Sequence, residues 1–119
     1  MFARATAAVL AAFAVFTVTA TADAKRRFFP PSAEVRAAIC AAFGPYCHQA
    51  IGVAWCESEY HPWARNGQYL GVWQMGSWER RTYGHGSTVR EQARAAYRYF
   101  VASGRDWSPW SCAWARHLA

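Results

Sequence analysis

The chain first becomes regularly amphipathic after Pro31. Apolar side chains then recur three and four positions apart, at Val35, Ala38, Ile39, Ala42 and Phe43. Residues at this spacing share one face of an α-helix, so the pattern predicts an amphipathic helix. Ser32 is a typical N-cap residue, and Gly44-Pro45 predicts the end of the helix.

A second helix is predicted from about Cys47 to about Glu57. Its apolar side chains, which include Ala50, Ile51, Val53 and Ala54, surround almost the whole helix. A helix that is apolar on nearly every face belongs in a protein core. We therefore expect this helix to be the most buried element.

Two further helices are predicted in the last third of the chain. Gly76-Ser77-Trp78 opens a short helix that ends near Gly84. Thr88 and Glu91 form a capping box, which predicts the start of a longer helix, and Gly104 predicts its end. The apolar stripe of that longer helix consists of Ala93, Ala96, Tyr97, Phe100 and Val101.

Helical periodicity is absent from the segment between Ser58 and Gly76. Asn66-Gly67 is a tight-turn dipeptide, and residues 68–75 mix aromatic and β-branched side chains. This segment is predicted to be a short β-hairpin or an extended loop. The fold class is therefore mainly α, an α+β arrangement in which a small helical domain carries a short hairpin.

The first 24 residues have the layout of a secretory signal peptide. Arg4 is followed by an apolar stretch over 7–18 and by small residues at 22 and 24. We expect cleavage after Ala24; the alternative is an uncleaved membrane anchor, for which the apolar stretch is short. Residues 25–31 are then a flexible basic arm, and residues 32–119 form one domain.

Composition changes once the signal peptide is set aside. Part of the 54% hydrophobic content of the 119 residues belongs to that leader. Residues 25–119 hold twelve basic and six acidic side chains, so the net charge of +6 is retained. The aromatic content of 17% excludes a disordered chain. A basic surface suits anionic polymers, but the signal peptide and the lack of any nucleic-acid-binding motif argue against nucleic acid.

The four cysteines all lie in the exported part, at Cys40, Cys47, Cys56 and Cys112. An even number in a short exported chain predicts two disulfides, and the scattered histidines leave no metal-binding spacing, so no metal or cofactor is expected. Cys47 and Cys56 on one helix would be ~13 Å apart, too far for a bridge. We prefer Cys40 with Cys47, across the Gly44-Pro45 turn, and Cys56 with Cys112, over pairing Cys40 with Cys56.

Glu57 is the acidic residue whose position suggests chemistry. It ends the most apolar helix, beside Cys56, where desolvation would raise the pKa of its carboxyl group toward the range of a general acid. The alternative is a carboxylate paired with an arginine. Glu34 and Glu91 occupy capping positions, and Glu79 precedes two arginines on a predicted surface helix, so these three need no catalytic role.

Several motifs around Glu57 resemble a known superfamily. They are Ala54-Trp55-Cys56-Glu57-Ser58, Pro62-x-Ala64-x-Asn66, Gly71-Val72-Trp73-Gln74-Met75, Trp78-Glu79 and Trp107-Ser108-Pro109-Trp110-Ser111-Cys112. Their order resembles the lysozyme-like superfamily, in which soluble lytic transglycosylases share the Glu-Ser and Gly-x-x-Gln motifs. It is still more similar to the resuscitation-promoting factors of actinobacteria. The resemblance runs from about Cys47 to Ala113.

The resemblance implies roles for individual residues. It makes Glu57 the catalytic acid, places Gln74 in a substrate groove and supports the Cys56–Cys112 disulfide. From the residue types themselves, the rings of Tyr69, Trp73 and Trp78, beside the amides of Asn66 and Gln74, are predicted to bind sugars. The side chains expected in the core are Trp55, Tyr97, Phe100, Trp107 and Trp110.

The expected function is cleavage of peptidoglycan at the β-1,4 bond between N-acetylmuramic acid and N-acetylglucosamine. Glu57 is the single acid; Glu59 and Asp106 match no catalytic position of the family, so no second carboxylate is assigned. A single acid is compatible with the chemistry of lytic transglycosylases, which the resemblance implies, and hydrolysis by a positioned water is the route left open. The alternative is a non-catalytic secreted protein that binds wall glycan on the same fold. The expected partners are glycan strands and anionic wall polymers, with the protein itself monomeric and wall-associated.

Overall fold

Four α-helices and one β-hairpin make up residues 26–119, the part of the chain that the computed structural model describes. The helices are α1 (Ala33–Phe43), α2 (Cys47–Ser58), α3 (Ser77–Tyr83) and α4 (Val89–Ala102). The strands are β1 (Arg65–Asn66) and β2 (Tyr69–Leu70), and 3-10 turns span Gly44–Tyr46 and Ala113–His117. The mainly helical fold with a short hairpin is confirmed, while the predicted signal peptide over 1–24 lies outside the described residues.

Local capping explains why the helices begin where the sequence predicts. The Ser32 hydroxyl accepts a hydrogen bond of 3.2 Å from the Val35 amide at the start of α1. At the start of α4, the Thr88 hydroxyl accepts from the Glu91 amide at 3.1 Å and donates to the Glu91 carboxylate at 2.8 Å. These side chains satisfy amide groups that have no partner within the helix.

Helix α2 runs through the core, as its apolar sequence predicts. Every residue from Ala50 to Trp55 is buried. Gly52 has a specific reason to lack a side chain, because a Cβ there would collide with the backbone carbonyl of Ala115. The 3-10 turn Ala113–His117 therefore packs directly on the backbone of α2. Around α2, the largest fully buried side chains include Ile39, Phe43, Val72, Trp73 and Phe100.

Both predicted disulfides are present. Cys40–Cys47 joins α1 to α2 across the intervening turn, and Cys56–Cys112 joins the end of α2 to the C-terminal tail. No cysteine of the described residues is free. The second bridge holds the C-terminal tail beside Glu57, the residue that follows Cys56.

The segment before α1, expected to be a flexible arm, contacts the end of α2. The Arg26 guanidinium lies 4.5 Å from the centre of the Trp55 ring and forms an ion pair of 3.3 Å with Glu59. The ring of Phe28 meets Trp55 edge-on at 5.7 Å. Aromatic and cation–π contacts, which leave no periodic pattern in the sequence, hold this segment.

Within residues 26–119, no helix combines the length and the apolar character needed to cross a membrane.

Candidate active site

An open cavity of about 310 Å³ lies where the end of α2 meets the hairpin, α3, α4 and the tail. The side chains that line it with polar atoms or aromatic rings are Glu57, Asn66, Tyr69, Gln74, Glu79, Tyr99, Trp110 and Ser111. A concave site with a few convergent polar groups is the usual form of a small-molecule or glycan site. Three of the predicted sugar-binding residues, Asn66, Tyr69 and Gln74, are therefore brought together with Glu57.

The Glu57 carboxyl group is held through one of its two oxygens. Oε1 accepts a hydrogen bond of 3.0 Å from the Ser111 hydroxyl and another of 3.0 Å from the backbone amide of Cys112. Among the described residues, nothing hydrogen-bonds to Oε2. One oxygen is thus fixed by the tail, while the other is available to carry a proton toward a ligand.

Burial raises the pKa of Glu57 above its ordinary value of 4.5. The hydrogen bonds from Cys112 and Ser111 act in the opposite direction, because they stabilise the anion, but they only partly offset the desolvation. The group is therefore protonated to a higher pH than an exposed glutamate, as a general acid requires.

The tail that supplies both donors is fixed by its tryptophans as well as by Cys112. Trp110 donates its indole N–H to the Trp73 carbonyl at 2.9 Å, and Trp107 donates to the Gln49 side chain at 2.8 Å. Both tryptophans are buried, as predicted, although Trp110 also reaches the cavity. Two indole hydrogen bonds and a disulfide thus position the donors to Glu57.

The loop after the hairpin is closed by backbone and side-chain hydrogen bonds. Leu70 and Met75 exchange backbone hydrogen bonds of 3.1 Å, so the residues between them form a tight turn. Gln74 has a positive φ of 47° and donates its amide group to the carbonyls of Ala64 and Gly71 at 2.8 and 2.9 Å. The Gln74 side chain therefore holds the loop together and retains its amide oxygen as an acceptor for a ligand.

Two tryptophans predicted to bind sugar do not line the cavity. Trp73 is only 1% exposed, and its indole N–H donates to the Ala50 carbonyl at 3.2 Å, so the side chain is part of the core. The prediction that Trp73 lines the sugar groove is therefore corrected, because the turn directs its ring toward α2. Trp78 is 56% exposed and meets Tyr83 edge-on at 6.1 Å, outside the cavity lining.

Glu79 and Tyr99 line the cavity although the sequence analysis gave neither a functional role. Glu79 precedes two arginines, which is typical of a solvent-exposed helix. Its position in the first turn of α3 nevertheless brings its carboxylate over Gly76, where any Cβ would collide with it. The sequence feature that corresponds to this contact is Gly76, three positions before Glu79. A glycine and a glutamate at this spacing do not by themselves indicate a site.

Gln92 is a buried polar residue whose role no sequence pattern indicates. Its side chain is 3% exposed, and its amide oxygen accepts from the Val72 amide at 2.8 Å. Its amide nitrogen donates to the carbonyls of Pro62 and Gly86 at 2.8 and 2.9 Å. One side chain on α4 therefore ties three loop segments together.

Comparison of the chain with protein-family models, with curated proteins and with solved structures finds no match.

Proposed function

We propose that this protein is a secreted peptidoglycan-cleaving enzyme of the muramidase class, with Glu57 as its general acid. The bond that it cleaves is the β-1,4 link between N-acetylmuramic acid and N-acetylglucosamine, as the motif resemblance implies. The observation that carries the proposal is the state of Glu57: a carboxyl group with a raised pKa, one oxygen fixed and one free, at an open cavity.

The geometry of Glu57 suits proton donation to a leaving oxygen. In the protonated group, Oε2 carries the proton while Oε1 keeps its two donors. When the proton is transferred, the new negative charge is stabilised at once by the Ser111 hydroxyl and the Cys112 amide. Because these donors strengthen as charge develops, they favour the transition state over the ground state.

The remaining lining suits a pyranose ring. Tyr69 is 46% exposed, so its ring can pack on the apolar face of a sugar. Asn66 and the amide oxygen of Gln74 supply hydrogen-bonding groups for hydroxyl and acetamido groups. Strong binding of sugars needs both kinds of contact, and Asn66, Tyr69 and Gln74 all line the same cavity.

Location and wall association are part of the same proposal. Two disulfides are compatible with an extracellular protein. Arg90, Arg94 and Arg98 follow one another at four-residue spacing on the exposed side of α4. Such a stripe suits the carboxylates and phosphates of anionic wall polymers and would concentrate the enzyme at its substrate.

The decisive experiment replaces Glu57 and measures release of soluble fragments from purified peptidoglycan. Glu57→Gln keeps the shape and can still accept from Ser111 and Cys112, so it should fold, with release reduced about a hundredfold or more. Glu59→Gln is the matched control, because Glu59 is two positions away and pairs with Arg26 instead of lining the cavity.

Equal release by the parent and by Glu57→Gln would contradict the assignment of Glu57. If the parent itself releases nothing but sediments with purified wall, the protein is instead a non-catalytic glycan-binding protein. Thermal unfolding of each variant, followed by circular dichroism, separates lost chemistry from lost folding.

A further inference from the structure

Two carboxyl groups, not one, line the cavity. Glu57 reaches it from α2 and Glu79 from α3. Glycoside hydrolysis generally uses such a pair, one carboxyl to protonate the leaving oxygen and a second carboxylate to assist attack at the anomeric carbon. We infer that Glu79 is this second carboxylate, that it acts as a general base toward water, and that the enzyme is therefore a hydrolase. The inference rests on the proposed function.

Two other carboxylates, those of Glu59 and Asp106, already interact with other groups of the protein. Glu59 forms its ion pair with Arg26, and Asp106 accepts from the Ser108 amide at 3.0 Å. Neither lines the cavity. Glu79 is thus the second carboxylate that the fold brings to the same space as Glu57.

The Glu79 carboxylate is free to act as a base. Among residues 26–119 it has no hydrogen-bond donor and no ion-pair partner, although Arg80 follows it directly. The Arg80 guanidinium instead donates through Nη1 to the backbone carbonyls of Gln68 and Met75, both at 2.5 Å. A carboxylate with vacant lone pairs beside a cavity can accept a proton from water, whereas one held by arginine would be a weaker base.

The Glu79 carboxylate lies in space that the missing side chain of Gly76 leaves open. Gly76 has no side chain, and a Cβ there would take the place of the Glu79 carboxylate. Tyr99 borders the same cavity, and burial followed by the negative charge of Glu79 raises the pKa of its hydroxyl. The phenol therefore stays protonated beside Glu79, where it can donate to a water molecule or to substrate.

The reaction that follows consumes one water molecule. The water oxygen bonds to the anomeric carbon as the glycosidic bond breaks. Glu57 gives its proton to the departing oxygen, and Glu79 takes a proton from the attacking water. Both products then carry a hydroxyl group, one of them at a new reducing end, and solvent returns the two carboxyl groups to their starting states.

The competing route needs no second carboxylate. There the 6-hydroxyl group of the substrate itself attacks the anomeric carbon, no water is consumed, and the product has a 1,6-anhydro end. Mass spectrometry of fragments released in heavy-oxygen water distinguishes the two. We expect reducing ends that carry the heavy oxygen; anhydro ends would overturn the role of Glu79 while leaving that of Glu57 intact.

A pair of Glu79 variants tests the role of the residue directly. Glu79→Ala should lower fragment release about a hundredfold, and azide, a small anion that needs no base, should restore it and yield a glycosyl azide. Glu79→Gln should be equally slow, and it serves if the alanine variant does not fold. Glu91→Gln, on the exposed face of α4, is the control.

Parental activity in Glu79→Ala, or a loss that azide does not restore, would overturn the inference. Both outcomes are independent of the Glu57→Gln result. Failure of the assignment of Glu79 as the base is therefore distinguishable from failure of the assignment of the protein as an enzyme.

Discussion

At the scale of single residues, the state of the Glu57 carboxyl group depends on groups far away in sequence. Ser111 and Cys112 both donate to Glu57 Oε1, across more than fifty positions of the chain. Desolvation raises the pKa of Glu57, and these donors pull it back. The pH range in which Glu57 is protonated is therefore set by a balance that single substitutions can shift.

Ser111→Ala removes one of the two donors that stabilise the Glu57 anion. The pKa of Glu57 should rise further, because desolvation is then opposed by one hydrogen bond instead of two. A general acid works only while protonated, so the alkaline limb of the pH–rate profile should move to higher pH.

The profile of fragment release against pH measures this shift, with Ser108→Ala in the same tail as the control. If the alkaline limb of Ser111→Ala stays in place, or moves to lower pH, Ser111 does not stabilise the Glu57 anion.

The sequence predicted the desolvation and raised pKa of Glu57 correctly, whereas its placement of Trp73 in the groove was wrong. Glu57 ends a uniformly apolar helix, and that position alone implies desolvation. The direction of the Trp73 ring depends on a turn in which Gly71 and Gln74 both have positive φ. Such a turn breaks any periodic pattern, so the sequence does not indicate which side chain points inward.

At the scale of elements, α4 organises two loops far from it in sequence and the loop that directly precedes it. Gln92 binds the backbone of Pro62, Val72 and Gly86 through one buried amide. Helix ends were predictable because caps are local, whereas the arrangement of these loops depends on a side chain at least six positions away. This is why the helices were predicted closely and the shape of the cavity was not.

Gln92→Leu keeps the approximate size of the side chain and removes all its hydrogen bonds. Three backbone groups lose their partner, so the free energy of unfolding should fall by about 2 to 4 kcal/mol. Urea denaturation measures the loss. Arg94→Leu, on the exposed face of the same helix, should change stability by less than about 0.5 kcal/mol. Similar values for both variants would mean that the loops are held by other contacts.

At the scale of the whole molecule, the two disulfides close loops of very different length. The bridged cysteines are 7 positions apart in Cys40–Cys47 and 56 positions apart in Cys56–Cys112. The first bridge joins two helices that follow one another in the chain, so the pairing of Cys40 with Cys47 could be predicted from the sequence. The second bridge brings the tail donors to Glu57, a contact that no local pattern reports.

Removing each bridge by paired alanine substitutions should therefore have unequal effects. From loop-closure entropy, losing Cys56–Cys112 should cost about 4 kcal/mol of stability and losing Cys40–Cys47 about 2.5 kcal/mol. Fragment release below the unfolding temperature should fall strongly only in the first case, since only that bridge positions the donors to Glu57. Unchanged release after removal of Cys56–Cys112 would show that the tail is positioned without its bridge.

Trp107 and Trp110 also give the molecule an optical property. Their ring centroids are 5.0 Å apart with an interplanar angle of 59°, and Tyr99 lies 4.7 Å from Trp110 on the side of the cavity. Indoles this close and this strongly inclined couple their excited states, which gives a signal in near-ultraviolet circular dichroism. Because Trp110 borders the cavity, a bound sugar would perturb that signal, and occupancy could be followed without any attached dye.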